Sequence, residues 1–196
     1  MTPGWREDQK RLLRERLYGC ALERFREQGY QATTVDQITA DAQVAKGTFF
    51  NHFQAKEHLL REWYRRGALQ ALGQARAHEW SSAREAVLGL LDTLAQQAQA
   101  DSDLYAMKEM HAFSGAVLSK EERALDGELR VFLIERVRLG CESGELSPDL
   151  DVELFADLIV ALLTGTAHEW VIGECGFSLG DVLAERTTFL LDAASA

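Results

Sequence analysis

VAKGTFFNHFQAKEHLL, residues 44–60, gathers a Lys, a Gly, a Thr, an Asn, a His and a second Lys into one short run of a chain whose formal net charge is −10. Acidic proteins are repelled by polyanions, so the run is either an ordinary helix or a local reader of phosphates and bases. Its apolar residues set the geometry. Phe49 and Phe53 stand four apart with Ala45 one turn earlier, which places them on one helical face, while Lys46, Gly47, Phe50 and Asn51 fall toward the other.

Working outward, TTVDQITADA at 33–42 gives Thr34 and Gln37 the spacing of a capping box, and Val35, Ile38 and Ala42 form an apolar stripe. A short helix is predicted from Val35 to Ala42, and Gln43 and Val44 leave only a tight connection to the next one. Further upstream, Leu13, Leu17, Ala21 and Phe25 recur every four residues and Gly29 follows as a stop signal, predicting a first helix of about five turns. A helix, a short turn and a second helix, packed against a longer one, make a helix-turn-helix pattern.

Charge is distributed to match. Residues 1–56 hold nine Lys/Arg and seven Asp/Glu, which leaves 12 and 24 for the remainder. A mildly basic head on an acidic body fits a protein that docks on nucleic acid with one end only.

In order and spacing, the segments ALERFREQGY, TTVDQI, VAKGTFFNHF and KEHLL between Leu17 and Leu60 resemble the DNA-binding region of the TetR (tetracycline repressor) family of bacterial regulators. That resemblance implies a homodimer whose N-terminal domains insert recognition helices into two major grooves. It also implies a larger all-helical domain that binds an effector and dimerises. Four positions depart from the usual pattern. Gln43 stands where the turn commonly has Gly, Ala45 and Ala55 where helix-capping hydroxyls are common, and Phe50 where Tyr is common.

Within this pattern Lys46 is placed to reach a base edge or phosphate, and Gly47 to let backbone approach DNA closely. Thr48, Asn51 and His52 offer donors suited to phosphate positioning, and Phe50 faces outward, where an aromatic ring can touch a thymine methyl. Thr34 can present its amide to a phosphate as well as cap its helix. Lys56 reads as a phosphate contact or a surface lysine, and Arg6, Lys10 and Arg11 as a basic lead-in or a solvated helix start. Gln43 and Ala45 complete the expected DNA-binding set. The ten positions are thus Thr34, Gln43, Ala45, Lys46, Gly47, Thr48, Phe50, Asn51, His52 and Lys56.

Past Lys56 only periodicity is available. It predicts a long helix through Trp80, a helix opened by Ser82, a shorter one over DSDLYAMKEMHAF at 101–113, and one from Ser119 toward Gly144. Two apolar helices then lie on either side of a loop ending near Ser178. The fold class is therefore all-α with about nine helices. Residues 1–55 are expected to be the helix-turn-helix DNA-binding domain and 56–196 the helical effector-binding and dimerisation domain. The segment from Leu154 to Leu163 is apolar almost all round except at Asp157, unlike a helix wet on one side. Leu158, Ala161, Leu162, Gly165, Val182 and Phe189 are accordingly candidates for a dimer interface, with an internal hairpin of a monomer as the alternative.

In DSDLYAMKEMHAFSGAV at 101–117, Leu104, Met107 and His111 share one helical face, and Ala106, Met110, Phe113 and Val117 another, an arc wider than one contact stripe requires. Either the helix is buried on two sides, or part of the arc lines a cavity closed by Phe132 and Trp170 and suited to a lipophilic or aromatic effector.

Other chemistries find little support. AHEW occurs twice, at 77–80 and 167–170, but His78 and Glu79, like His168 and Glu169, point about 100° apart on a helix, so no metal ligation is expected. No nucleophile-base pair, HExxH, phosphate-cradling loop or dinucleotide fingerprint occurs, and neither enzyme nor cofactor is expected. Cys20, Cys141 and Cys175 are too scattered for zinc or a disulfide framework and are expected to be buried thiols. A start lacking a secretory signal, and the lack of an apolar run of about 20 residues, predict a cytoplasmic protein with no membrane partner. Its expected partners are a double-stranded DNA operator, a small effector and a second copy of itself. Dispersed-carboxylate enzymes and helical adaptors are the rival classes, and salt-sensitive duplex binding separates both from a regulator.

Overall fold

Strong helix formers interrupted by Ser, Asp and Gly give nine α-helices and no β-strand among the residues that the computed structural model describes, 3–113 and 120–196, with side chains for 4–110 and 124–196. They are α1 (Pro3–Gln28), α2 (Val35–Asp41), α3 (Lys46–Phe50), α4 (Glu57–Ala77), α5 (Ala83–Ala100), α6 (Ser102–Phe113), α7 (Lys120–Ser143), α8 (Val152–Ile172) and α9 (Leu179–Ala193). The expected helix start at Ser119, and the side chains of His111 and Phe113, lie outside the described residues.

Two compact units divide at Trp63 and Tyr64, within α4. In the first, α1 begins at Pro3, nearly three turns before its apolar stripe starts at Leu13, because proline is tolerated in the first turn where no N–H is needed. Leu17, Ala21, Phe25, Ile38, Phe49 and Phe53 form its buried interior, each at most 3% exposed. Ala45 departs from the expectation: it is exposed, standing before α3 in extended conformation rather than joining Phe49 and Phe53.

In the second unit, residues of α4, α5, α7, α8 and α9 converge on one core that includes Leu72, Leu90, Phe132, Val137, Ile159 and Leu191. Ser82 caps its helix as the sequence suggests, and Asp151 and Ser178, which the sequence reading did not single out, do the same, each accepting a backbone N–H of the first turn. Glu145 adds a long-range cap, accepting the N–H groups of Ala83 and Arg84 at 2.7 and 2.8 Å. Helix α4 ends at Ala77 rather than Trp80 because the indole folds back, donating Nε1–H to the Ala75 carbonyl at 2.8 Å and covering Gly89, where a Cβ would collide with the ring.

By length and composition α8 could cross a membrane. It also carries Glu153, Asp157 and Glu169, which pair with Arg138, Arg130 and Arg186. The three cysteines are free and half-buried, less enclosed than expected, and burial is the main cause raising each thiol's pKa.

Candidate nucleic-acid interface

The turn between α2 and α3 is closed by backbone alone. Gln43 N–H donates to Ala40 O at 3.0 Å and Val44 N–H to Thr39 O at 2.9 Å. This geometry puts Gln43 at φ +52, in the left-handed region where a glycine would sit without strain. Upstream, the predicted capping box is complete. Gln37 N–H donates to Thr34 Oγ1 at 3.2 Å and Thr34 N–H to Gln37 Oε1 at 2.8 Å.

Helix α3 is short and sharply two-sided. Phe49 is fully buried against Phe53, with ring centroids 5.7 Å apart. Lys46, Gly47, Phe50 and Asn51 are exposed, Phe50 to 48%, and a Cβ on Gly47 would meet nothing within 4 Å. Thr48 and His52 are half-buried, and Thr34, Gln43 and Ala45 are exposed. Burial, helped by the charges of Arg14 and Lys10, holds the His52 imidazole below its usual pKa, which favours the neutral ring.

Two lysines have partners that spacing does not reveal. The Lys46 ammonium lies 2.8 Å from one carboxylate oxygen of Asp36 and donates to the other at 3.0 Å. Lys56 Nζ donates to the carbonyls of Tyr30 and Thr33 at 2.7 and 2.8 Å, above the Tyr30 ring at 4.0 Å. Two of its three donors thus tie the α1–α2 connection to the start of α4. Sequence reasoning also missed Arg14. Its Nη1 donates to the His52 carbonyl at 2.7 Å, its guanidinium stacks 4.2 Å over Phe53, and Glu62 lies 3.6 Å away. Arg14 therefore fixes where α3 ends. Its position one residue beyond Leu13 was the only available signal.

In the second unit the candidate pocket residues differ in burial. Phe132 belongs to the main core, whereas Leu104 and Trp170 are buried outside that cluster, at 3% and 2% exposure. Met107 is half-buried and Met110 is 58% exposed. Tyr105, absent from the sequence reading, packs its ring edge-on to Trp170 at 5.9 Å and to Tyr64 at 6.0 Å. Of the candidate interface residues, Leu158, Ala161, Gly165 and Phe189 are exposed and Leu162 and Val182 half-buried. No group of three or more His, Cys, Asp or Glu among the described residues is arranged to hold a metal.

Residues 20–63, covering the end of α1 through the first turns of α4, match the family described as bacterial regulatory proteins, tetR family. Residues 20–63 carry the DNA-binding region of the tetR family. Relatives extend the likeness past the matched segment. The transcriptional repressor DhaR of Mycobacterium sp. (strain GP1) is 28% identical over 163 residues, 78% of this chain and 79% of that protein. The regulator TcmR of Streptomyces glaucescens is 46% identical over 57 residues, a quarter of its own length. Among solved structures, Thermus thermophilus FadR, a TetR-family repressor in complex with lauroyl-CoA, aligns with a TM-score of 0.75 at 25% identity, covering 91% of this chain and 93% of that one. Like the regulators it matches, this chain is a DNA-binding transcriptional regulator.

Proposed function

We propose that the protein binds a two-fold symmetric operator as a homodimer, represses transcription there, and is released by a small lipophilic or aromatic effector. The observation that carries the reading is the two-sided α3: Phe49 and Phe53 anchor it from below while Lys46, Gly47, Phe50 and Asn51 stand exposed on the opposite side. In this reading that face enters the major groove. Thr34, Thr48 and His52 hold phosphates, Gln43 and Ala45 lie at the groove edge, and Lys56 offers its third donor. Residues 1–55 carry recognition and 56–196 carry assembly and the effector.

Assembly is assigned to the exposed apolar row Leu154, Leu158, Ala161, Gly165 and Ile172 along α8, joined by Phe189 of α9. Ile172 is 69% exposed and Phe189 78%, an arrangement that costs solubility unless a second surface covers it. The effector assignment is supported by the solved FadR structures, whose ligands are lauroyl-CoA in Thermus thermophilus and stearoyl-CoA in Bacillus subtilis.

Selection of bound duplexes from a random pool tests the reading. The expected product is a palindrome with half-sites about one helical turn, roughly 34 Å, apart, bound with steep salt dependence. A protein that retains no duplex at low salt is not this regulator.

A further inference from the structure

Lys108 forms an unusually enclosed ion pair. Its ammonium donates to Glu109 Oε1 at 2.7 Å, with 13% of each side chain exposed. The pairs made by Arg14, Arg24, Lys46, Arg76, Arg84, Arg130, Arg138 and Arg186 each keep at least one partner about a third exposed or more. Helical spacing does not produce the Lys108 pair, because neighbouring residues on a helix point about 100° apart and do not face each other. What holds the ammonium is an aromatic corner. The ammonium stands 3.9 Å over the centre of the Tyr64 ring and 5.8 Å from that of Tyr105. Tyr105 leans edge-on against Trp170, whose indole N–H is anchored on the Phe177 carbonyl at 2.9 Å. The corner's walls are therefore fixed, while the lysine stem is four flexible carbons long.

Aromatic faces beside a carboxylate are the chemistry that recognises organic cations. The surrounding charge favours the same sign: residues 57–196 hold 12 Lys/Arg and 24 Asp/Glu. Arg76, Arg84, Arg130, Arg138 and Arg186 are each already engaged by a carboxylate, an unfavourable setting for a polyanion. We propose that the corner formed by Tyr64, Tyr105 and Glu109 is the recognition point for a lipophilic organic cation, with Lys108 as an internal occupant displaced when such a ligand binds. The ligand's positive centre takes the place over Tyr64 and beside Glu109, and the Lys108 ammonium moves into water. This rests on the reading that the second unit takes an effector, and names the chemical class of that effector.

Equilibrium dialysis of the full chain with tetraphenylphosphonium and tetraphenylborate, probes of nearly equal shape and opposite charge, tests it without DNA. The phosphonium should bind about tenfold or more tighter than the borate. Lys108→Met should tighten phosphonium binding and Glu109→Gln weaken it, each about tenfold, as expected for an enclosed cation site. Equal uptake of the two probes, or unchanged phosphonium affinity in folded Lys108→Met, overturns the proposal. Should Lys108→Met not fold, Tyr64→Leu serves instead: it should weaken phosphonium binding, and unchanged affinity overturns the proposal equally. Operator release is measured separately. A duplex complex released by lauroyl-CoA from a protein that takes up no phosphonium sinks the cation site and keeps the effector-responsive regulator. Phosphonium uptake with no duplex binding under any condition does the opposite.

Discussion

Asp36 holds the ammonium of Lys46 at 2.8 Å, so the lysine that opens α3 carries an intramolecular counter-charge on the face assigned to DNA. Both side chains are more than half exposed, and such a surface pair contributes at most about 1 kcal/mol to folding. Its larger effect is on binding, because a phosphate must displace the carboxylate or sit beside it. Asp36→Ala should tighten operator binding several-fold and steepen its salt dependence, while Lys46→Ala should abolish or relax operator recognition. Neither should move the melting temperature by more than a degree or two. Fluorescence anisotropy across a salt series checks this. Unchanged affinity in Lys46→Ala would remove α3 from the interface.

Arg24 and Asp41 join α1 to α2 by two parallel hydrogen bonds of 2.6 and 2.9 Å. The Arg24 hydrogen bond is the main cause lowering the Asp41 carboxyl below its ordinary 3.8. A depressed carboxylate stabilises the fold above its unfolded pKa, and that contribution disappears as pH falls through the lower folded value. Arg24→Gln should therefore melt below the parent protein at pH 7, and the gap should close below about pH 4. A gap that stays constant from pH 7 to pH 3 would show that the pair contributes no proton-linked stability.

The helix-turn-helix was legible because its signals are local. The Thr34/Gln37 box, the Phe49/Phe53 spacing and Gly29 each act within a few residues, and each appears where expected. What escaped depends on residues brought together from afar. Lys56 meets carbonyls 23 and 26 positions upstream, and Arg14 meets His52 across 38. The start of α1 was missed because residues 4–12 bury little, so no apolar stripe marks a helix that propensity and a first-turn proline suffice to form. On α6, apolar width alone could not separate Leu104 and Tyr105, which are buried, from Met110, which is exposed. Lys108 and Glu109 drew no notice because adjacent opposite charges on a helix are ordinarily solvated.

On the body, Leu158 is 46% exposed and Phe189 78%, so a charge at either position leaves the core intact. Leu158→Glu and Phe189→Glu should each give a soluble, fully helical monomer by sedimentation, with operator affinity reduced at least a hundredfold because one half-site alone is read. Leu162 is half-buried, and Leu162→Glu should also lower the melting temperature. A parent protein that sediments as a monomer at micromolar concentration would refute the assignment of this face.

Gln43 brings stability and recognition into opposition at one residue. Its φ of +52 is a conformation that costs a non-glycine residue about 1–2 kcal/mol. Replacement by glycine removes that strain but also loosens the unfolded chain, leaving a net gain of roughly 0–1 kcal/mol. Gln43→Gly should accordingly raise the melting temperature of the DNA-binding unit by up to a few degrees. The exposed amide of Gln43 lies at the turn leading into α3, where the proposed interface gives it a contact with the groove edge. Its loss should weaken operator binding several-fold with no change in salt slope, since no charge is removed. A lower melting temperature would refute the strain account. A higher one with unchanged affinity would take Gln43 out of the interface and leave the strain without a binding role.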